Sequence, residues 1–318
     1  MSRDPRIVSK TMSAIRGKDT GIELKLRKAL FDDGFRFLCC SPKAFGHPDI
    51  LFRRERVAVF LDSEFWHGYR FEENEAKIKS HRDYWIPKIM RNMARDEEVN
   101  AELANRGYKV MRYWGFEVNK DLERVKSEVE EAVQIRRSAL NRCRRIKELT
   151  TLSYYRKDGK YLLLYRDKKE HDLNQGKYIG IGGHVEDGET YLEASKREFF
   201  EETGLTVRKQ RYIAKIDFVN ENCVERMYLF RVDAVDGELS RDCDEGELVF
   251  VESSRMGEVT MWEGDRIFLP LLDEESPSPY SMTLIYRGSS LLDCIGPYKE
   301  LKVNSKKTPK AKKFKKST

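Results

Sequence analysis

Apolar positions in the front part of the chain follow helical spacing in some stretches and extended spacing in others. Ile22, Leu26 and Leu30 recur at helical spacing after Thr20, and Gly34 is placed to end the helix that they predict. Compact apolar runs at 35–40, 50–52, 57–61 and 108–114 predict strands, and helical patterns cover about 80–106 and 122–135. Strands that precede and follow helices in this order predict a small α/β domain.

From residue 149 the apolar pattern becomes rich in strands. Two alternating runs flank the Asp158-Gly159 turn and predict a hairpin. The same criteria predict strands at 178–181, 207–218, 225–235 and 248–251, helices at 189–203 and about 264–273, and a last hairpin at 281–296. We therefore expect two domains, at 1–138 and 149–298, of α/β and α+β class. An arginine-rich stretch at 139–148 predicts a basic linker or a helix extension, and the lysine-rich tail 299–318 is predicted to be disordered.

The net charge differs strongly between three segments of the chain. The net charge of +6 over 318 residues separates into +9 for residues 1–147, −11 for residues 148–298 and +8 for residues 299–318. A basic front half suits a polyanion such as double-stranded DNA, because Lys and Arg release counterions from phosphates. The acidic domain does not suit a nucleic acid, so we expect it to handle phosphates through a bound cation.

Cysteine usage and hydropathy bear on the location of the protein. The six cysteines show no CxxC spacing, and no apolar segment follows Met1-Ser2-Arg3-Asp4. No apolar run approaches the roughly 20 residues needed to span a bilayer. These features predict a cytoplasmic protein with reduced thiols and no membrane association, and they leave the oligomeric state open.

A cluster of carboxylates in the acidic domain carries candidate chemistry. Glu198, Glu201 and Glu202 stand at i, i+3 and i+4, so a helix brings them to one face. Hard oxygen ligands gathered in this way suit Mg²⁺, with Mn²⁺ as an alternative. Such an ion would neutralise a diphosphate and lower the pKa of an attacking water. The alternative is a solvated acidic helix face.

The spacing around these glutamates resembles the Nudix box. Gly183 is followed after five residues by Glu189, and after seven more by the run 197–205, REFFEETGL. Together with GKYIGIGGHVEDGET, DCDEGEL and MWEGDRIFLPLL, the stretch 149–295 is similar to Nudix hydrolases of the 8-oxo-dGTP diphosphatase (MutT) type. The resemblance implies an α/β/α sandwich, a metal-binding carbonyl at Gly182, a pairing of Glu189 with Arg197, and Glu245 as a base or extra ligand.

The same resemblance implies a nucleobase site. Trp262 and Asp265 correspond to residues that hold the purine, although Trp262 would serve equally as a core aromatic. Ile179 stands where this type of enzyme has a base-reading asparagine, and Gly264 stands where it has an aspartate. The expected substrate is 8-oxo-dGTP or a related purine nucleoside triphosphate, cleaved to the monophosphate and pyrophosphate. Because an apolar contact discriminates polar base edges weakly, Ile179 leaves the preferred base open.

The front half resembles the very short patch repair (Vsr) endonucleases, which nick DNA beside T:G mismatches. The segments that carry this resemblance are MSAIRGKDTGIE, GHPDILF, VAVFLDSEFWHG, YWIPKIMRNMARD and LANRGYKVMRYW, between about residues 6 and 118. It implies a restriction-endonuclease-like α/β fold with Asp49 as the main Mg²⁺ ligand, Asp62 as a second acid, Glu23 as an active-site carboxylate and His67 as the base. It also implies DNA contacts by aromatic wedges and by polar residues on one helix, namely Phe65, Trp66, Trp85, Lys88, Arg91, Asn92 and Arg95.

Each of these nuclease residues has a structural alternative. Glu23 completes a Thr20-x-x-Glu23 capping box, and Asp49 follows Pro48 in a position suited to a turn. His67 would also fit a structural histidine, and Phe65 with Trp66 would fit a core. Vsr enzymes with structural zinc use Cys and His ligands, but the corresponding positions here are Glu64, Tyr69, Phe71 and Phe116, so no zinc is expected.

Three functional hypotheses follow. The first is a two-enzyme protein of DNA repair and nucleotide-pool sanitation, in which the front domain cleaves mismatched DNA and the second hydrolyses nucleoside triphosphates. The second keeps the Nudix enzyme but makes the front domain a DNA-binding module without catalysis. The third makes the Nudix domain a nucleotide sensor that regulates the nuclease.

Overall fold

A computed structural model describes residues 19–42, 44–168, 174–221, 223–240, 243, 245–275 and 278–299. The chain divides into two compact units, residues 1–137 and 138–318. The tail predicted to be disordered lies outside the described residues from position 300 onward, as does most of the MSAIRGKDTGIE segment. None of the helices within the described part of the chain is long and apolar enough to cross a membrane.

Among its described residues the first unit contains a three-stranded sheet and five helices, the last of which continues past Arg137 into the second unit. In chain order these elements are α1 (Gly21–Asp32), β1 (Ile50–Phe52), β2 (Val57–Asp62), α2 (Phe71–Asn74), α3 (Arg82–Asn105), β3 (Lys109–Trp114), α4 (Gly115–Lys120) and α5 (Leu122–Cys143), with a short 3-10 helix at Glu75–Lys77. β1 pairs with β2 antiparallel, and β2 pairs with β3 parallel. Strands β1 and β2 are buried along their whole length, so both faces of the sheet are covered.

The two faces of this sheet support different helices. One cluster joins Leu26 and Leu30 of α1 with Val125 and Val129 of α5, and the other includes Val99 of α3. The strand predicted at 35–40 is wrong, because within it only Leu38 forms an isolated bridge, to Leu51. Cys40 takes a positive φ of 40°, which turns the chain out of an extended path.

The predicted helix at 122–135 is longer than its apolar pattern indicated. Helix α5 continues to Cys143 through the arginine-rich stretch, which contains neither Gly nor Pro. Arg136 of α5 is buried and donates hydrogen bonds to the carbonyl oxygens of Arg56 and Gly107 at 2.7 and 3.2 Å. Satisfied in this way, the guanidinium is tolerated inside the unit.

The second unit is built on an eight-stranded mixed sheet. Its elements are β4 (Glu148–Lys157), β5 (Lys160–Tyr165), β6 (Tyr178–Ile179), α6 (Tyr191–Thr203), β7 (Thr206–Val219), β8 (Val224–Asp236), β9 (Glu247–Glu252), α7 (Asp265–Phe268), β10 (Tyr280–Arg287) and β11 (Ser290–Lys299), with 3-10 turns at Ser253–Arg255 and Leu269–Leu272. The strand order is β11-β10-β7-β8-β4-β5-β6, and β9 pairs with β5. The predicted hairpins at 149–165 and 281–296 are both present.

Helix α6 and the α7 region cover opposite faces of this sheet. Phe199 of α6 packs with Tyr155 and Leu162 on one face, whereas Phe268 packs with Tyr154 and Leu284 on the other. Because successive residues of a strand point to opposite faces, Tyr154 and Tyr155 of β4 enter different cores. The result is the layered α/β/α arrangement expected from the resemblance to Nudix hydrolases.

Candidate functional site

A glycine loop meets the carboxylate face of α6 in the second unit. The helix begins after Thr190, which forms a capping box with Glu193, and it ends at Gly204 in the left-handed conformation. A Cβ atom at Gly183 would lie 2.5 Å from a carboxylate oxygen of Glu198, and one at Gly182 would lie 2.1 Å from the carbonyl oxygen of Thr151. Only glycine permits this close approach of the loop to the helix and to β4.

Arg197 organises the acidic face of α6. Its guanidinium pairs with both carboxylate oxygens of Glu189 at 3.0 Å, as the resemblance predicted. It also donates to Glu198 at 2.8 Å and to Glu201 at 2.9 Å, two of the three predicted metal ligands, and to the carbonyl oxygen of His184. One arginine therefore fixes the loop and offsets the repulsion between neighbouring carboxylates.

The third predicted ligand has a different environment. The Glu202 side chain is only 8% exposed, and its Oε2 has no hydrogen-bond partner within the described part of the chain. Burial raises the pKa of Glu202 to about 8, and the charges of Glu245 and Glu198 add to the effect. Glu245 itself forms an ion pair with Arg166, a partner that the sequence did not suggest.

These features fit a divalent cation. A buried carboxylate oxygen without a partner is costly unless another group compensates it, and a hard cation provides such compensation. Glu198 and Glu245 both lie close enough to Glu202 for their charges to raise its pKa. Glu198, Glu201, Glu202, Glu245 and the Gly182 carbonyl are the groups that would hold the ion. When bound, the ion would polarise a phosphate and activate water.

Trp262 and Asp265, two of the predicted nucleobase residues, lie together near α7, whereas Ile179 packs in the other core, beneath α6. Trp262 is buried and packs edge-on against Phe218 and Tyr286, so its role as a core aromatic is real. Its Nε1 nevertheless donates to Oδ1 of Asn174 at 2.8 Å, and Nζ of Lys177 lies 4.4 Å from its ring centroid. Sequence analysis indicated neither Asn174, which lies outside the matched segments, nor Lys177, which lies within GKYIGIGGHVEDGET but had no assigned role.

The Asp265 carboxyl of this region has a strongly raised pKa. It is 7% exposed, and burial raises its pKa to about 7. Gly264 stands where MutT-type enzymes have an aspartate. A Cβ at this position would lie 2.6 Å from both Leu284 and the hydroxyl of Tyr286, so a side chain would clash with them. That hydroxyl accepts a hydrogen bond from the Gly264 amide. Ile179 is half-buried on β6, where it packs with the cluster beneath α6.

In the first unit, the structure brings Glu23 and Asp49 together as predicted. Their carboxylate oxygens and the Cys40 sulphur lie within 4.8 Å of one another. Glu23 also caps α1 and pairs with Arg27 at 2.6 Å, so its structural role is present as well. Burial raises the pKa of Asp49 to about 6, although its Oδ2 accepts a hydrogen bond from the Leu61 amide. Sequence analysis did not indicate Cys40 as a candidate ligand, because it predicts a strand at 35–40.

Asp62 has other partners than Asp49. Its carboxylate pairs with Arg112 at 2.7 Å and lies 3.5 Å from Nδ1 of His67. The imidazole is held more closely by Asp96, at 2.6 Å. Burial lowers the pKa of His67, but the hydrogen bond to Asp96 and the charge of Asp62 outweigh burial and leave it raised. Asp96 is an orienting partner of the predicted base, and its place in a long charged helix hid it from sequence reasoning.

The three predicted DNA wedges form one aromatic cluster. The ring centroids of Phe65, Trp66 and Trp85 lie 5.3 to 5.4 Å apart in edge-to-face arrangements. Phe65 is 41% exposed, and Nζ of Lys88 lies 4.9 Å from the Trp66 ring centroid. The cluster therefore presents an aromatic surface with a cation at its side.

The polar DNA candidates on α3 separate into two kinds. Arg91 and Arg95 are exposed, which suits contacts to phosphate. Asn92 instead donates from its side chain to the carbonyl oxygen of Trp66 at 2.9 Å. Its contact therefore holds the aromatic cluster onto the helix.

Side chains at the positions where zinc ligands are missing contact one another and the end of β3. Tyr69 stacks edge-on with Trp114 and Phe116 at 5.0 and 5.1 Å. Glu64 accepts a hydrogen bond from the Phe116 amide at 2.7 Å. Aromatic contacts and one carboxylate thus join the loop after β2 to the end of β3, which gives this loop support without a metal.

Comparisons with known proteins match the two domains separately. A family model described as DNA mismatch endonuclease Vsr matches residues 3–73, and one described as NUDIX domain matches residues 150–272. The type II nicking enzyme V.NmeDIP of Neisseria meningitidis serogroup C is 41% identical over 41% of this chain and 88% of its own length. The DNA mismatch endonuclease Vsr of Escherichia coli is 32% identical over 33% of this chain and 67% of its own length.

The second unit has relatives of its own. An oxidized purine nucleoside triphosphate hydrolase of Danio rerio is 32% identical over 39% of this chain and 79% of its own length. The solved structure of the MutT protein from Bacillus halodurans has a TM-score of 0.42 and 25% identity, covering 46% of this chain and 95% of its own. Enzymes of both families generally use divalent metal ions. The chain therefore belongs to the Vsr DNA endonucleases through its first domain and to the Nudix hydrolases through its second.

Proposed function

We propose that the Nudix domain hydrolyses purine nucleoside triphosphates of the 8-oxo-dGTP class to the monophosphate and pyrophosphate with Mg²⁺, which Mn²⁺ can replace. The observation that carries this proposal is the buried Glu202, whose Oε2 has no hydrogen-bond partner among the described residues and which lies near Glu198 and Glu245 at the Gly183 loop. In this assignment Glu198, Glu201, Glu202 and the Gly182 carbonyl hold the ion. Glu245 acts as the base or as an additional ligand.

The purine is assigned to the region of Trp262 and Asp265. An aspartate with a pKa near 7 is protonated in a large fraction of molecules at neutral pH, so it can donate a hydrogen bond to a base as well as accept one. Ile179, which packs beneath α6 on the opposite face of the sheet, is assigned no contact with the base. Asn174, held by the Trp262 indole, is a polar group that a base edge can meet in place of the missing asparagine at position 179.

We further propose that the Vsr domain nicks double-stranded DNA beside T:G mismatches, in the cytoplasm, with Asp49 as the main Mg²⁺ ligand. Glu23 is placed to assist Asp49. His67, oriented by Asp96, activates the water, and Asp62 supports His67 and Arg112. Phe65, Trp66 and Trp85 enter the duplex at the mismatch, while Lys88, Arg91 and Arg95 contact phosphates. Asn92 holds Trp66 in place.

One experiment tests both activities in the full chain. Wild type, Glu202→Gln, Asp49→Ala and the control Glu258→Gln, at an exposed residue, are incubated with Mg²⁺ and either a panel of nucleoside triphosphates or a T:G heteroduplex. We expect Glu202→Gln to lose pyrophosphate release by about 100-fold or more while nicking persists, and Asp49→Ala to show the reverse. If no nucleotide releases pyrophosphate with wild type, the Nudix proposal fails. Equal nicking by Asp49→Ala and wild type would exclude Asp49 as the metal ligand.

A further inference from the structure

A second group of metal-ligating side chains lies in the Nudix domain, apart from the carboxylates of α6. Glu148, Cys223 and Glu225 each place one donor atom within 4.8 Å of the other two. Glu148 begins β4 and is the register partner of Glu225 on the parallel strand β8. Cys223 immediately precedes β8. One thiol and two carboxylates therefore converge where these two strands start.

The sheet register adds a histidine to this group. Residue 184 forms an isolated bridge with Thr150 of β4, on the side of β4 away from β8. Paired residues share a face, and Thr150 shares its face with Glu148 two positions earlier. His184 therefore stands on the same sheet face as both glutamates. Burial raises the pKa of Glu225 and the charge of His184 opposes this effect, although the imidazole nitrogens do not lie within 4.8 Å of all three other donor atoms.

A buried hydroxyl on this face has no partner. Thr150 is 8% exposed, and its Oγ1 makes no hydrogen bond within the described part of the chain. It lies on β4 two residues after Glu148, on the same sheet face, and is the bridge partner of His184. An orphaned polar atom beside a ligand group indicates that a hydrated species completes the site, because a metal-bound water supplies the missing hydrogen bond.

The backbone around Cys223 is fixed independently of any ligand. Asn220 and Cys223 exchange backbone hydrogen bonds of 2.9 and 3.3 Å across a tight turn between β7 and β8. Arg142 of α5 donates to the carbonyl oxygens of Glu221 and Cys223 at 3.1 and 3.3 Å, and also to that of Asn220. The thiol is thus held in position by a turn that is already braced.

We propose that Glu148, Cys223 and Glu225 bind a zinc ion that stabilises the Nudix domain, and that the nearby His184 imidazole turns toward the ion to complete the ligand set. A donor set of one thiolate, one imidazole and two carboxylates suits a borderline, tetrahedral cation such as Zn²⁺ rather than Mg²⁺, which prefers oxygen alone. His184 directly follows Gly183, so the ion ties the glycine loop of the Nudix site to β4 and β8. This site is separate from the structural zinc site that the Vsr domain is expected to lack.

The test uses Co²⁺ as a spectroscopic substitute in the full chain. The protein is stripped with a chelator and titrated with Co²⁺ in the presence of excess Mg²⁺, which occupies the oxygen-only sites. We expect one cobalt per chain with a thiolate-to-cobalt charge-transfer band, displaced by one equivalent of Zn²⁺. Cys223→Ser should abolish this band. Absence of any thiolate band in wild type would overturn the proposal.

Two cysteine variants serve as matched controls. Cys294→Ser removes a half-buried thiol on β11, three strands across the sheet from β8, and should keep the band. Cys40→Ser removes the thiol near Asp49 and Glu23 and should also keep it. A band that disappears in Cys40→Ser and persists in Cys223→Ser would assign the metal to the nuclease site and refute the proposal.

Two further measurements separate binding from folding defects. Glu148→Gln and Glu225→Gln retain the thiol, and each should weaken Zn²⁺ binding by at least about tenfold in competition with a chromophoric chelator. Unchanged affinity in both would refute the site even if Cys223→Ser fails to fold. Zn²⁺ should also slow amide exchange in the loop 182–184 of wild type, and no slowing would refute the role assigned to His184.

Discussion

Replacement of Asp265 by asparagine should make the Nudix domain more stable and less selective. The carboxyl is almost completely buried, and burial raises its pKa from 3.8 to about 7. Since the unfolded chain ionises near the lower value, the folded state loses stability as the pH rises between these two values. Above pH 7 the full difference of about 3 pKa units corresponds to about 4 kcal/mol against folding.

Asparagine removes the ionisation but keeps the shape. The hydrogen bond from the Trp262 backbone, which lowers the pKa of Asp265, is reproduced less well by an amide oxygen, at a cost of about 1 to 2 kcal/mol. The net gain at about pH 8 is therefore about 2 to 3 kcal/mol, and it should shrink to near zero or reverse at about pH 3, where the wild-type carboxyl is mostly protonated in both states. The exposed Asp187→Asn is the matched control, with no expected change.

Pulse proteolysis across a urea series measures this in the full chain, because the fragment from the Nudix domain is quantified separately from the Vsr domain. The same variant should lose selectivity for purine over pyrimidine triphosphates in kcat/KM by about tenfold or more, since a neutral amide cannot exchange a proton with the base. Two results would refute the reasoning. One is equal pH dependence of stability in Asp265→Asn and wild type, and the other is a variant that is less stable than wild type at about pH 8.

Three other predictions concern the glycine loop, the nuclease base and the DNA surface. Gly183→Ala should reduce nucleotide hydrolysis by about tenfold or more without affecting nicking, because its Cβ would displace the Glu198 carboxylate, whereas Gly257→Ala has room and should not. Asp96→Asn should lower the pKa of His67, so the inflection in the pH–rate profile of T:G nicking should move to lower pH; an unmoved inflection would exclude His67 as the titrating base. Lys88→Ala should reduce the slope of log affinity for DNA against log salt by about one, measured by fluorescence anisotropy, and an unchanged slope would exclude a phosphate contact.

Much of the fold follows from local pattern. The long strands of the Nudix domain and helices α3 and α6 were predicted within a few residues, because alternation and helical spacing persist over many positions there. The strand at 35–40 was predicted wrongly because its apolar run is short, and the pattern does not indicate the positive φ of Cys40. The extension of α5 to Cys143 agrees with the helix extension considered for the arginine-rich stretch, whereas the buried carbonyl partners of Arg136 follow from no local rule.

The candidate sites show the same division between motif and environment. The positions of Glu198, Glu201 and Glu202 follow from helical periodicity alone. Their unequal environments do not, since Glu202 is buried and lies near Glu245, which is remote in sequence, whereas Glu201 is exposed and paired with Arg197. The pairing of His67 with Asp96 joins residues 29 positions apart on different elements. Such partners can be found only when the elements are assembled.

The opposite net charges of the two domains agree with two different ways of binding phosphate, directly through arginines or through a divalent ion. The segment 1–147 carries a net charge of +9, and its exposed Arg91 and Arg95 can contact DNA phosphates directly. The segment 148–298 carries −11, so a triphosphate of similar sign is repelled at a distance. Its attraction must then arise locally, from a divalent ion held by Glu198, Glu201 and Glu202. The affinity of the Nudix domain for nucleotide should therefore depend on the metal ion far more strongly than the affinity of the Vsr domain for DNA, which nucleotide and DNA binding with and without Mg²⁺ would establish.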